Sequence, residues 1–289
     1  MVRKRVKKIL VTGGSSYLGR HLVPIASKQF EVCYTYFQHD PFGLTNGRWL
    51  DLCDEDHFYE VVIDFQPQVI IQLAGSNRGS NMEEVIHGAA QNAATISRSF
   101  GIRLIHISTD SLLDGRHPPY DESDRPTPIT AYGRAKTKAE HLISQWTDHV
   151  IIRTSLIYGL TIMDHSTRWI RNTLDEGKPV TLYDNQIRQP VWAHTLSQAC
   201  LELVELSFQG IINVAGRQAM SRAEFGLKLL DWWGVTDREY LTIGPADERW
   251  PLDCRLDLTL AGKILSTPLL GLDDVLVAHS QREDGDTQV

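Results

Sequence analysis

Val11-Thr12-Gly13-Gly14-Ser15-Ser16-Tyr17-Leu18-Gly19 decides how this 289-residue chain is read. It joins an apolar run, 8–12, to an amphipathic stretch, 17–28, so a strand is expected to turn directly into a helix. Glycines in such a turn allow a tight bend, close approach of a pyrophosphate and close packing of helix on strand. The helix N-terminus adds unsatisfied N–H groups and the positive end of its dipole. Gly13, Ser15, Ser16, Tyr17, Leu18, Gly19 and Arg20 are therefore the candidates for holding a dinucleotide. Ser16 stands where the middle glycine of the pattern is expected, at the point of tightest backbone approach. A glycine-rich turn without a ligand is the alternative; the strand before it and the helix after it favour the nucleotide site.

The same alternation continues outward. Segments 31–36, 69–73, 103–108 and 150–154 read as further buried strands and 48–51 as a short one, while helices are expected over 54–65, 82–100 and 130–146. This pattern builds an α/β fold, a Rossmann-type doubly wound parallel sheet covered on both faces. After Gly159 it becomes less regular, with helices expected near 168–176, 195–207 and 221–233. Residues 1–159 are thus expected to form mainly the dinucleotide-binding domain. Residues 160–279 would form mainly a smaller, interwoven substrate lobe with segments returning to the sheet. The polar end, 280–289, is expected to be disordered.

Hydrophobic content of 42% and charged content of 22% are those of an ordinary soluble globular protein. The balance of 29 basic against 36 acidic residues, −7 net, argues against general nucleic-acid binding. The basic start, Val2 to Lys8, is followed by Ile9-Leu10-Val11, too short for the core of a signal peptide. No apolar run approaches the ~20 residues needed to span a bilayer, so no membrane partner is expected. Cys33, Cys53, Cys200 and Cys254 are scattered and the histidines show no zinc spacing. Free thiols in a reducing cytoplasm, and no metal, are expected.

Two other strand ends bear on a cofactor. Asp51 and Leu52 fall where an acidic side chain could reach an adenine amine. Leu73-Ala74-Gly75 ends its strand in small residues, as a cofactor lying against the sheet edge requires; plain strand-end chemistry is the alternative for both. The choice between NAD and NADP is expected where the second strand ends. There Phe37-Gln38-His39-Asp40 places neither an acid at the tip nor an arginine beside it. Arg20 could meet a 2′-phosphate, which tips the expectation to NADP.

Chemistry is expected at Tyr132-Gly133-Arg134-Ala135-Lys136, a spacing common by chance but well placed here. Pro126, Pro128 and Thr130 read as a loop closing on an N-cap, which puts Tyr132 in the first turn of a helix. Four residues apart, its side chain shares a face with that of Lys136. A phenol titrates near ~10 in water, and an adjacent ammonium favours the phenolate. The pair is therefore expected to serve as a general acid or base in carbonyl chemistry. Ser108-Thr109-Asp110, at the end of an apolar run, supplies polar groups upstream.

Together these features resemble the extended short-chain dehydrogenase/reductase superfamily, and within it the dTDP-4-dehydrorhamnose reductases, over nearly the whole chain. The markers are Thr12-Gly13 with Gly19; Ser108-Thr109-Asp110-Ser111-Leu112-Leu113-Asp114-Gly115; Pro119-Tyr120 with Glu122 and Asp124; and Pro128 before Tyr132 and Lys136. They continue with Arg153-Thr154-Ser155-Leu156-Ile157-Tyr158-Gly159 and Asp184-Asn185-Gln186-Ile187-Arg188-Gln189-Pro190. The resemblance implies Thr109 as catalytic hydroxyl, Tyr132 as acid and Lys136 as the lysine that holds ribose and biases the phenol. Hydride would pass from a nicotinamide to a ketone carbon as Tyr132 protonates the oxygen.

It also implies substrate contacts at Ser108, Asp110, Leu156 and Arg188. Leu156 replaces a tryptophan that lies beside the sugar in those reductases. Arg188 replaces a small residue, and its fork of donors suits a diphosphate; a solvent-facing arginine is the alternative. Ser111 replaces an aromatic, and Ile86 or His87 stands where the superfamily carries an asparagine. The related 4,6-dehydratases carry Thr-Asp-Glu, and Thr109-Asp110-Ser111 lacks the glutamate. The leading expectation is an NAD(P)H-dependent reductase of a nucleotide-linked 4-keto sugar, compatible with a homodimer. The second is a non-catalytic NAD(P)-binding regulator resembling the methionine adenosyltransferase β-subunit.

Overall fold

Short runs rich in Val and Ile alternate with amphipathic stretches, and each run becomes a strand buried on both sides. The computed structural model describes residues 6–73, 75, 79–146 and 148–283. The first half runs β1 (Lys8–Thr12), α1 (Tyr17–Ala26), β2 (Glu31–Tyr36), β3 (Gly47–Trp49), α2 (Glu55–Phe65), β4 (Val69–Gln72) and α3 (Met82–Phe100). It continues with β5 (Arg103–Ile107), a 3₁₀ turn (Asp110–Leu112), α4 (Ala131–Ser144) and β6 (His149–Arg153). The second half comprises β7 (Ile157–Tyr158), α5 (His165–Asp175), β8 (Val180–Tyr183), β9 (Ile187–Arg188), β10 (Val191–Trp192) and α6 (Ala193–Glu205). Then come β11 (Gly210–Asn213), β12 (Met220–Ser221), α7 (Arg222–Trp232), β13 (Leu241–Gly244), α8 (Thr259–Ile264) and α9 (Leu272–Glu283).

Seven strands form one sheet in the order β11-β6-β5-β4-β1-β2-β3, and every pairing in it is parallel. The order reverses at β1, which lies between β2 and β4, so the crevice for a ligand opens over the C-terminal end of β1. One face of the sheet packs Ile9, Val11, Ile71 and Ile105 against Leu22 of α1 and Leu196 and Ala199 of α6. The other packs Leu10, Ile70 and Leu104 against Phe58 of α2, Ala90 and Ala93 of α3, and Ala135 and Ala139 of α4.

Two structural details were not legible in the sequence. β11, a four-residue strand arriving from beyond residue 160, extends the sheet past β6; so short an apolar run carries no periodicity of its own. Ser280, expected to begin a disordered tail, is helical: it continues α9 and its hydroxyl donates to the Leu276 carbonyl at 2.9 Å. Residues 284–289 lie outside the described residues. No helix among the described residues is long and apolar enough to cross a membrane.

Candidate active site

The glycine turn is built by close approach. A Cβ on Gly19 would lie 2.4 Å from the Gly14 carbonyl oxygen, so only glycine lets the first turn of α1 fold back onto the loop. Gly13 adopts φ 74°, which its missing Cβ permits. Ser16 has a role that its departure from the glycine pattern did not suggest. It is the N-cap of α1, its hydroxyl accepting from Gly19 N at 3.1 Å. Among the described residues the amides of Tyr17 and Leu18 meet no acceptor, and these are the donors a helix N-terminus offers an anion. The Tyr17 ring turns away from the crevice, donating its hydroxyl to the Ile162 carbonyl at 2.8 Å.

Arg20 sits beside the second lobe. It lines a cavity of about 470 Å³ with Thr161, Met163, Arg168 and Trp233. No residue from the end of β2, where a 2′-phosphate is expected, belongs to that cavity. The helical spacing that places Arg20 one residue past Gly19 points it toward the second lobe. Asp51 accepts from the Cys53 amide of its own loop at 2.9 Å. Leu52 packs on the α2–α3 side, its carbonyl accepting from Asn92 at 2.9 Å. The Leu73 amide donates to the Thr12 carbonyl at 3.0 Å, extending the β1–β4 ladder. Ala74 lies outside the described residues. Gly75 (φ 145°) brings bare backbone beside Lys136: a Cβ there would sit 3.5 Å from Nζ.

Thr109 follows β5 at its C-terminal edge, near Tyr132 of α4. Thr130 caps α4 by accepting from Gly133 N at 3.0 Å, which sets Tyr132 in the first turn. Burial and the Asp110 carboxylate push the Tyr132 phenol up to about 12, with the neighbouring Thr109 hydroxyl opposing them. The expectation that Lys136 brings the phenol toward neutrality is therefore corrected. The Lys136 amine is drawn under β5, donating to the Ile107 carbonyl at 2.6 Å and meeting His106 Nε2 at 3.0 Å. Burial lowers its pKa to about 8, against the Glu140 charge.

The expected substrate contacts fare unevenly. Ser108 is buried and its hydroxyl has no partner among the described residues. Both Asp110 oxygens are occupied within the protein: Oδ2 accepts from Ser155 at 2.7 Å, and Oδ1 from Thr109 and Ser111, each at 3.3 Å. Arg188 is neither solvent-facing nor open to a diphosphate. Only 5% exposed, it donates to the carbonyls of Ile187 (2.7 Å), Leu252 (3.1 Å) and Pro251 (2.8 Å), with Nε 3.5 Å from Asp110. The carbonyls of Leu252 and Pro251 belong to a loop more than 60 residues downstream, which no local reading brings to it. Leu156 packs on the lobe core of Tyr158, Met220 and Phe225. Ile86 is buried and apolar beside Gly75.

The sequence reading missed His106, Gln72, Ser155 and Arg222. Arg222 opens α7 and donates to Ser166 Oγ at 3.1 Å. Its pKa is lowered by burial and by the Arg188 charge, with Asp110 and Asp164 opposing. It therefore lies close to the Asp110–Arg188 pair. An arginine directly after a serine cap carries no pattern of its own.

A parallel sheet with a glycine turn at its crossover and a Thr–Tyr–Lys set at the neighbouring strand edge defines a dinucleotide-dependent oxidoreductase architecture. The model of the RmlD substrate binding domain matches residues 7–258, and the chain belongs to that family, the oxidoreductases of extended short-chain dehydrogenase/reductase type. It is 32% identical to the dTDP-4-keto-6-deoxy-D-glucose reductase of Streptomyces niveus, over 71% of each chain. It is 27% identical to the methionine adenosyltransferase 2 subunit beta of Danio rerio, over 78% of this chain and 73% of that one. A hypothetical dTDP-4-dehydrorhamnose reductase from Sulfolobus tokodaii superposes with TM-score 0.78 at 31% identity, covering 92% of this chain and 97% of that one. The dTDP-4-dehydrorhamnose reductase of Bacillus anthracis, solved with NADP, shares the fold at TM-score 0.72 and 21% identity, over 91% and 94%.

Proposed function

We propose that this chain reduces a nucleotide-linked 4-keto sugar with NADPH or NADH, Tyr132 giving the proton. The observation that carries the reading is a protonated Tyr132 near Thr109 at the strand edge, with the Lys136 amine drawn under β5. The residues suit a dinucleotide. The free amides of Tyr17 and Leu18 face the crossover crevice for its pyrophosphate, and Gly75 leaves bare backbone beside Lys136. Bound there, the reduced nicotinamide supplies the hydride.

As charge develops on the substrate oxygen, Tyr132 releases its proton, and the Thr109 hydroxyl, turned from Asp110 Oδ1, would offer a second donor. Asp110 assists by holding the phenol protonated until that moment. Residues 1–159 would hold mainly the dinucleotide and 160–279 the sugar nucleotide. There Arg222, whose one acceptor among the described residues is Ser166 Oγ, offers the positive charge that Arg188 does not.

The test is oxidation of NADPH and NADH against a panel of nucleotide-linked 4-keto sugars. Reduction of one of them, slowed by ~10²–10³ in Tyr132→Phe with cofactor affinity little changed, supports the reading. Cofactor binding without turnover on any of them would return the chain to a regulatory role like that named for the Danio rerio relative. No binding of either cofactor at millimolar concentration removes the reductase reading.

A further inference from the structure

The sheet face beneath α4 changes character one layer below the site. In register across β1, β4 and β5, Leu10, Ile70 and Leu104 form an apolar row; two residues further along the same face, Thr12, Gln72 and His106 form a polar one. All three are at most 1% exposed. His106 bridges Gln72 to α4, its Nδ1 2.9 Å from Gln72 Oε1 and its Nε2 3.0 Å from Lys136 Nζ.

We propose that His106 is a positioning residue, held by Gln72 as the Nδ1–H tautomer so that Nε2 accepts from Lys136 and aims its ammonium. The protonation states follow from the lysine outward. An ammonium only donates, so the ring nitrogen facing it must carry the lone pair. The neutral ring then bears its proton on Nδ1, which requires an acceptor, and Gln72 presents its carbonyl oxygen there. A protonated imidazole would set a donor against a donor. Burial and the neighbouring Lys136 charge hold the His106 pKa well below the ordinary value, consistent with the neutral ring. Two of the three Lys136 N–H groups are thus fixed, to the Ile107 carbonyl and to His106. Among the described residues no acceptor meets the third.

Among the described residues few other charges lie near Lys136. On α4, Glu140 lies one turn on, its carboxylate held by Arg153 of β6 at 3.0 Å. Asp110, from the 3₁₀ turn, acts on Tyr132. The residues α3 buries, Ile86, Ala89, Ala90 and Ala93 among them, carry no charge, nor do Gln72 and Thr12. Losing the His106 acceptor removes a hydrogen bond to the charged form, so the Lys136 pKa must fall. The catalytic consequence rests on the reductase reading; the tautomer and the titration do not.

The experiment follows His106 by ¹⁵N NMR and Lys136 by its ¹³Cε resonance in the cofactor-free protein, alongside kcat/KM against pH. At about pH 7, a neutral ring protonated on Nδ1 is expected; an imidazolium or an Nε2–H ring overturns the proposal. His106→Leu should lower the Lys136 midpoint by about one pH unit, the scale of one hydrogen bond to a charged group. The basic limb of kcat/KM should move down with it. His106→Gln, which returns an acceptor at the Nε2 position, should restore the midpoint. Should the leucine variant not fold, His106→Asn reads the same contact, since its shorter side chain can meet Gln72 but not Nζ. An identical Lys136 titration in the Gln and Asn variants overturns the proposal. The expected tautomer and titration without turnover would remove the reductase reading and keep the positioned lysine; turnover with unmoved titration would do the reverse.

Discussion

Two buried guanidinium–carboxylate pairs flank the site, and they are built differently. Arg153 meets Glu140 through Nε at 3.2 Å and Nη2 at 3.0 Å and donates Nη1 to the Asp124 carbonyl at 3.1 Å. Charge answers charge, and α4 is pinned to β6. Arg188 instead gives its donors to three backbone carbonyls and reaches Asp110 only at 3.5 Å. Asp110 is left to the hydroxyls of Ser155, Thr109 and Ser111. Those neutral donors steady the carboxylate without cancelling its charge, which is why that charge still raises the Tyr132 phenol. Burial alone thus does not say what an ion pair is for; the count of donors spent elsewhere does.

The largest effect tests the saturated pair. Glu140→Leu strands the Arg153 guanidinium in the interior and should destabilise the fold by about 3–5 kcal/mol in chemical denaturation. Arg153→Met combined with Glu140→Leu removes both charges and should recover most of that loss. A double variant as unstable as the single would mean that packing, not charge, holds α4 to β6. Asp110→Asn probes the loose pair. It keeps the shape and some of the hydroxyl contacts, so the loss should be smaller, about 1–3 kcal/mol. Its signature is electrostatic: without the carboxylate the Tyr132 phenol titrates lower than about 12. Ring ¹³C NMR of labelled tyrosine reads this directly. An unmoved midpoint would show that the Arg188 pairing already neutralises Asp110.

The contrast also marks how far the sequence could be read. The strand–turn–helix at Gly13–Gly19 and the Thr130 cap before Tyr132 are local, since their hydrogen bonds close within a few residues, and local chemistry is legible. The parallel sheet followed from alternation alone. Arg188 was misjudged because its acceptors, Pro251 and Leu252, arrive from a distant loop. His106 was passed over because a lone histidine in an apolar strand gains meaning only when the β4–β5 register sets it opposite Gln72. Arg20 shows a subtler limit: its direction depends on how α1 packs against residues 161–163, which its place in the chain does not disclose.

The smallest expected effect lies at Ser16, where local reading and structure differ by one hydrogen bond. The pattern asks for glycine there, and the structure shows a serine capping α1 through Gly19 N. Ser16→Gly should lower stability by only a few tenths of a kcal/mol, because glycine is a tolerable N-cap, whereas Ser16→Ala should cost about 1 kcal/mol. The glycine variant also frees the Gly19 amide, adding a third donor to those of Tyr17 and Leu18 at the positive end of the helix. Cofactor affinity should therefore stay the same or tighten while the melting temperature falls slightly. Calorimetry with NADPH and NADH beside thermal unfolding separates the two readouts. Weaker binding at unchanged stability would show that the Ser16 hydroxyl serves the phosphate rather than the helix.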